Sequence, residues 1–434
     1  MSTNERRPEG RPSRVNPHSA GPHKSGQRSE HSQQRSPYSS EHHGAPQRKV
    51  QRRPAGKPVR ARKAPGKKSG AGKIILIVVE LLVLAALGVA LYFVLTATKS
   101  GKMDLPVEDI VINEEVKEKL KSSSAGDSGD GAAASKLSGY RNIALFGVDS
   151  REGALTKNTR SDTVMVASIN LETGDVKLVS IYRDTYLNLS NDEYNKCNSA
   201  YAKGGPKQAI NMLNMNFDLD ITDFVTIGFD GLIDVIDALG GVEINVLDSE
   251  IKHLNNYQIS MVGKSSDGVN FTANEGVDYI PVKSSGVQTL NGLQATAYCR
   301  IRYVGDDFQR AERQRAVIKA ILEKAKGNPG KLASIAESVF PKTYTSLDLS
   351  EIIEILGNIS KYQIVDEAGY PDENMRAGAT IGSKGACIVP LTLADNVKLL
   401  HEFLFDETDY EPSSAVQSYS QKIINDAGQY MKKQ

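Results

Sequence analysis

Twenty-four consecutive residues, Ile74 to Ala97, contain a single charge, Glu80. A helix rises about 1.5 Å per residue, so this run spans roughly 36 Å, enough to cross a hydrocarbon core of about 30 Å with some tilt. A core helix of a water-soluble domain would keep a polar face, and a cleaved export signal would be shorter and nearer the first residue. The flanks give the direction. Residues 1–73 hold 18 Lys and Arg against 4 Asp and Glu, and the remainder holds 35 against 48. Nine of the basic residues fall between Arg52 and Lys73, so the positive-inside rule places the N-terminus in the cytoplasm and everything after Ala97 outside.

Residues 1–73 are rich in Pro, Gly, Ser, Gln and Arg without apolar periodicity, which predicts a disordered basic tail. Its charge is densest beside the apolar run, so cytoplasmic membrane lipid is favoured over nucleic acid as its partner. Residues 98–137 read as an extracytoplasmic linker: an acidic stretch with helical character, Val107 to Leu120, then the spacer SSSAGDSGDGAAASK. The folded body is expected from about Ser138, with a main domain over 138–329.

Strand patterns cover Asn142 to Gly147, Thr163 to Asn170, Val176 to Ile181, Phe224 to Gly228 and Val242 to Val246, with a hairpin turn at Leu171 to Asp175. Helical patterns cover Pro206 to Phe217, Gly231 to Leu239 and Asp307 to Gly327. The fold class is therefore α/β (α+β), a central mixed sheet flanked by helices. Residues 330–434 carry further helix signals and are expected to form a C-terminal extension, packed on the domain or a small domain of its own.

Five of the seven histidines lie in the basic tail, leaving His253 and His401, neither beside a candidate nucleophile. That disfavours a Ser-His-Asp hydrolase or a His-rich zinc site. Asp and Arg are dense instead, at the ends of strands: Asp149, Asp162, Arg183, Asp184, and later Arg300, Arg302, Asp307 and Arg310. Carboxylates at strand ends can share a magnesium ion with substrate phosphate, and guanidinium groups grip phosphate bidentately. Several Arg with two or three Asp read as a pyrophosphate-plus-metal site. If Arg300 and Arg302 hold one phosphate group, Tyr298 to Tyr303 should be extended, because residues two apart share a side of a strand but not of a helix.

The motifs GVDSR (Gly147 to Arg151), SDT (Ser161 to Thr163), SIYRDT (Ser180 to Thr185), NSAY (Asn198 to Tyr201), DALGGVEI (Asp237 to Ile244), LNGLQATAYCRIR (Leu290 to Arg302) and DFQRAERQR (Asp307 to Arg315) occur in this order. Together they resemble the LytR-CpsA-Psr family of cell-wall glycopolymer ligases. The resemblance covers about Tyr140 to Lys326. It implies a single-pass protein of the bacterial cytoplasmic membrane whose outer domain is a phosphotransferase. That enzyme would move a glycopolymer, such as teichoic acid or capsular polysaccharide, from a polyprenyl-pyrophosphate carrier to peptidoglycan through a phosphodiester. It also implies magnesium, or manganese in its place, on Asp149 and Asp162. The pyrophosphate would be held by Arg183, Lys196, Arg300, Arg302, Arg310 and Gln314, and the catalytic group would be Arg183, Asp184 and Asp307, the two carboxylates as candidate bases. The family's apolar polyprenyl channel would run between sheet and helices, lined by parts of Pro206 to Leu239. Tyr182 stands where the family most often has proline.

Two other readings use the same residues: a pyrophosphate hydrolase with water as acceptor, and a regulatory or scaffold protein that binds polyprenyl phosphate without turnover. Cys197 and Cys299 flank motif residues, so a disulfide between them is weighed against three free thiols. Arg313 and Arg315 point away from the face of Asp307, Arg310 and Gln314 and are expected to be cheap to replace.

Overall fold

The computed structural model describes residues 102–124, 136–150, 155–156, 158–265 and 267–431. The basic tail, the apolar run Ile74 to Ala97 and residues 125–135 lie outside them, and among the described residues no helix is long and apolar enough to cross a membrane. In chain order the elements are α1 (Glu114–Ser124), β1 (Tyr140–Val148), β2 (Ser161–Asn170), β3 (Asp175–Ile181), β4 (Tyr186–Asn188), β5 (Tyr194–Lys196), α2 (Asn198–Phe217), β6 (Asp223–Gly228), α3 (Phe229–Ala238), β7 (Val242–Val246), α4 (Asp248–Val262), β8 (Gly286–Leu290) and α5 (Gly292–Tyr298). There follow α6 (Asp307–Lys326), α7 (Leu332–Val339), β9 (Thr343–Thr345), α8 (Leu349–Gly357), β10 (Gln363–Tyr370), β11 (Arg376–Thr380), β12 (Ala386–Pro390), α9 (Leu393–Phe405) and α10 (Ser414–Ala427).

Short apolar runs buried on both faces make β1 and β2, and with β3 they form an antiparallel meander. The turn between β2 and β3 closes because the Asn170 side chain accepts from the backbone of Glu172 and Thr173, while Gly174 takes φ +80°. β6 adds parallel to β1, giving a six-stranded mixed sheet of order β10-β3-β2-β1-β6-β9. One face carries Ala144, Phe146, Val148, Val164, Val166, Val179 and Ile181 and packs on α2, α9 and α10. The opposite face carries Leu145, Ala167, Ile169 and Leu178 and meets Ile318 and Leu322 of α6. The architecture is thus mixed α+β, a central mixed sheet with helices on both faces.

Helix α2 starts eight residues before the expected Pro206. Gly205 breaks it with φ +68°, and a Cβ there would lie 2.4 Å from the Thr156 carbonyl oxygen, so the kink is fixed by packing. Helix α6 begins with a capping box: Asp306 accepts from the Phe308 and Gln309 amides, and the Gln309 side chain accepts from the Asp306 amide.

Two boundaries differ from expectation. The folded body does not start near Ser138, because Ile110 and Val116 are core residues and Asn113 donates to Asp218 at the end of α2. An acidic stretch read as linker thus has an apolar stripe that packs on the domain. Residues 330–434, expected as an extension, supply both edge strands of the sheet, β10 beside β3 and β9 beside β6.

Candidate functional site

Between the second face of the sheet and α6 lies a cavity of ≈ 340 Å³. Its walls are apolar: Leu145 of β1, Val225 and Ile227 of β6, Leu232 and Val235 of α3, and Val317, Ile318 and Ile321 of α6. Gly147 in β1 also lines it, and a Cβ there would lie 2.8 Å from Thr163 Oγ1, so this strand pair admits only glycine without a shift. Part of the expected channel range contributes, Val225 to Val235. Pro206 to Phe217 does not, because α2 packs on the opposite face of the sheet.

The mouth of the cavity is charged. Asp149, Asp162, Arg300, Arg302, Arg310 and Gln314 all line it. Asp162, the second residue of β2, is ion-paired with Arg183 Nη1 and accepts from Arg302 Nη2 at 3.2 Å, while its carbonyl oxygen accepts from Arg310 Nη2 at 3.1 Å. Asp149, just after β1, is 47% exposed in its side chain and lies 3.8 Å from Arg300 Nη2. The Arg300 guanidinium also sits over the rings of Phe229 (4.4 Å) and Tyr257 (5.5 Å). These aromatic supports were not legible in the sequence, since neither belongs to a charged motif.

Arg183, Asp184, Lys196 and Asp307 do not line the cavity but continue the same ionic network. Arg183 Nε faces Asp184 at 3.5 Å and Asp307 at 3.9 Å; Lys196 pairs with Asp184 at 3.0 Å, and Arg310 with Asp307 at 3.0 Å. Five cations therefore meet four carboxylates, leaving a surplus of positive charge. Burial pushes the Asp307 carboxyl above its ordinary range, against the pull of Arg310 and Arg183. Burial also opposes the Arg183 charge, but Asp162, Asp184 and Asp307 outweigh it and hold that guanidinium above its usual value. Arg310 is 3% exposed, and burial lowers it; its Nε and Nη1 are buried without a hydrogen-bond partner among the described residues. Buried guanidinium donors of this kind suit an incoming anion.

Two expectations are corrected, and the open question of the cysteines is decided. Tyr298 to Tyr303 is not extended: the Arg300 and Ile301 amides donate to Ala297 and Tyr298 in the turn that ends α5, and the chain reverses enough there for both arginines to reach the mouth. Cys197, Cys299 and Cys387 are all free, and burial pushes the Cys299 thiol up to about 12. Arg313 and Arg315 do turn away from the mouth, but neither is a loose surface charge. Arg313 is buried against Glu250 at 2.6 Å and donates to the Ile301 and Val304 carbonyls at 3.1 and 2.6 Å, pinning the loop that carries Arg300 and Arg302. Arg315 donates to Ser180 Oγ at 2.9 Å beneath β3.

Comparison with known proteins fits this geometry. A polyisoprenyl-teichoic acid–peptidoglycan teichoic acid transferase, TagU of Enterococcus faecalis, is 33% identical over 185 residues, 42% of this chain and 52% of its own length. The match thus spans about half the length of that relative. Biofilm regulatory protein A of Streptococcus mutans is 28% identical over 64% of this chain and 72% of its own. A crystal structure described as a transcriptional regulator from Enterococcus faecalis superposes with TM-score 0.50 and 22% identity, covering 70% of this chain and all of the other, a likeness that speaks for the fold alone. The family model described as the LytR_cpsA_psr family matches residues 107–383, taking in α1, the whole charged mouth and both edge strands of the sheet. With well over half its length matched and the motif residues gathered at one cavity, this chain belongs to the LytR_cpsA_psr family.

Proposed function

We propose that this protein transfers a glycopolymer from a polyprenyl-pyrophosphate carrier to peptidoglycan. The observation that carries this reading is a single cavity with apolar walls and a mouth of arginine and aspartate, which suits a ligand that is a hydrocarbon chain at one end and a pyrophosphate at the other. The transferase name of the TagU relative supports it. On this reading the protein is a single-pass protein of the bacterial cytoplasmic membrane, anchored by Ile74 to Ala97 with its N-terminus inside.

Arg300, Arg302 and Arg310 hold the pyrophosphate at the mouth, with Gln314 beside them, and Arg183 and Lys196 extend the positive field toward the acceptor. A peptidoglycan hydroxyl oxygen attacks the phosphorus joined to the polymer. The new P–O bond forms as the P–O bond to the carrier breaks, polyprenyl phosphate leaves, and the hydroxyl proton passes to Asp307 or Asp184. Burial around Asp307 suits a proton acceptor. Among the described residues no three His, Cys, Asp or Glu side chains gather to hold a metal, but magnesium is often bound by one or two carboxylates with substrate phosphate completing the shell. Asp149 and Asp162 at one mouth fit that donor set. Magnesium held there would neutralise charge on the pyrophosphate.

The test is transfer of a polyprenyl-pyrophosphate-linked glycan to peptidoglycan by the full chain. Arg183→Ala and Arg300→Ala should each lower the rate by roughly 10²–10³, as expected for donors aimed at charge developing in the transition state. Lys at either position should restore little, because it cannot grip bidentately. Near-normal transfer by both Ala variants would make the cluster structural. Release of free glycan phosphate with no peptidoglycan product would favour the hydrolase.

A further inference from the structure

Tyr182 immediately precedes Arg183, and Phe308 immediately follows Asp307. Their rings meet edge to face with centroids 4.6 Å apart at 75°. A third side chain, Arg376 at the start of β11, lays its guanidinium carbon 3.6 Å from the Phe308 centroid and 5.0 Å from that of Tyr182. Arg376 is itself held, since its Nη1 donates to the Pro371 carbonyl at 3.0 Å. Tyr182 is 7% exposed and its amide donates to the Tyr370 carbonyl at 3.0 Å. Room for its ring is made by Gly369, where a Cβ would lie 2.1 Å from the Tyr182 hydroxyl. A proline at 182 would have neither the aromatic ring nor the amide N–H, so it could make neither of these contacts.

The two rings are one residue away from the two charges that face each other at 3.9 Å, Arg183 and Asp307. With so short a backbone tether, the separation of the rings sets the separation of the charges. We propose that Arg376 is a positioning residue. By stacking on Phe308 and Tyr182 it clamps the first turn of α6 to the turn after β3, and so fixes Asp307 and Arg310 relative to Arg183. The effect on turnover rests on the transferase reading above; the clamp itself does not.

Two measurements on the full chain test it. In steady-state transfer, Arg376→Ala should lower kcat by about tenfold, as small misplacements of reacting groups do, with KM for the lipid-linked donor changing by clearly less, because Arg310 shifts with α6 but Arg300 and Arg302 sit on a separate loop. Arg376→Lys should recover part of the loss, since an ammonium keeps some attraction for the rings. Phe308→Leu should mimic Arg376→Ala, and the double variant should be no worse than either single one. Wild-type kcat in Arg376→Ala, or fully additive losses, would overturn the proposal. If Arg376→Ala does not fold, Arg376→Lys with Phe308→Leu completes the same cycle. The second measurement needs no turnover. A crystal structure of Arg376→Ala, or of Phe308→Leu in its place, should show the Arg183–Asp307 separation longer by on the order of 1 Å, the scale at which catalytic geometry fails. An unchanged separation refutes the clamp whatever the activity. Absence of transfer in the unaltered chain would count against the transferase reading alone.

Discussion

The same strands give the central sheet two faces of opposite character. On one, Phe146, Phe224 and their neighbours close against α2 and α9 with Tyr201, Phe217 and Phe405 fully buried. On the other, Leu145, Val225 and Ile227 look across ≈ 340 Å³ at Val317, Ile318 and Ile321. Unfilled apolar space forfeits dispersion contacts and costs stability. The open face is therefore a place where stability has been given up, next to the charged mouth. The closed face holds the strands in place, and on the proposed reading the other face takes the ligand.

Substitutions can break that contrast. The largest effects should fall where the structure is closed. Phe217→Ala should destabilise by about 3–5 kcal/mol, read as a shift of the denaturant midpoint, and Ile318→Ala across the sheet should cost clearly less than the roughly 2–5 kcal/mol usual for a sealed site. Equal losses at the two positions would mean that the cavity wall is as tightly packed as the core. Arg313→Ala belongs with the large losses: removing one partner of a buried ion pair costs about 3–5 kcal/mol. It should also disorder the loop from Cys299 to Val304, visible as faster amide exchange there. A stable Arg313→Ala with a protected loop would sever the link between that buried pair and the mouth.

The smallest effect concerns Asp307. Its folded-state pKa is raised, first by burial, so its contribution to stability is present below the unfolded pKa and lost as pH rises through the folded one. Ionised Asp307 therefore costs stability at neutral pH. Asp307→Asn should be slightly more stable at pH 7, by less than about 1 kcal/mol, with the gain vanishing in acid, while transfer falls. A loss of stability at pH 7 would mean that the pairs with Arg310 and Arg183 outweigh the burial.

Much of the closed face was legible from sequence, because β1 and β2 are short, nearly continuous apolar runs, as strands buried on both faces must be, and the turn at Leu171 to Asp175 carries its own chemistry. Helix α4 was not. Two of its three buried residues, Glu250 and Gln258, are polar, and Ile251 and Tyr257, the apolar residues that pack beside Leu254, are only partly buried, so its apolar stripe is weak. β10 was missed for a similar reason, since QIVDEAGY is exposed at several positions and is held by its ladder to β3. At the site, the residue types and their order pointed to the mouth, but not its division between cavity-lining groups and the Arg183–Asp184–Lys196 continuation. The geometry inferred from Arg300 and Arg302 failed because period-two reasoning assumes a regular element, and these residues occupy the turn that ends one. Arg313 was read correctly in direction and wrongly in weight: its partner Glu250 lies 63 residues away on a helix that the sequence did not reveal.

Both borders of the sheet come late in the chain. β3 and β6 are made before residue 230, yet their neighbours β10 and β9 follow residue 340. During synthesis, a four-stranded core with two uncovered borders precedes the segments that cap it, and uncovered strand borders invite pairing with other chains. Tyr182 waits for Tyr370 and Arg376 in the same interval. The protein's maturation thus has a built-in order: every motif of the charged mouth is translated first, and the part that makes it safe from aggregation, and fully assembled, arrives last.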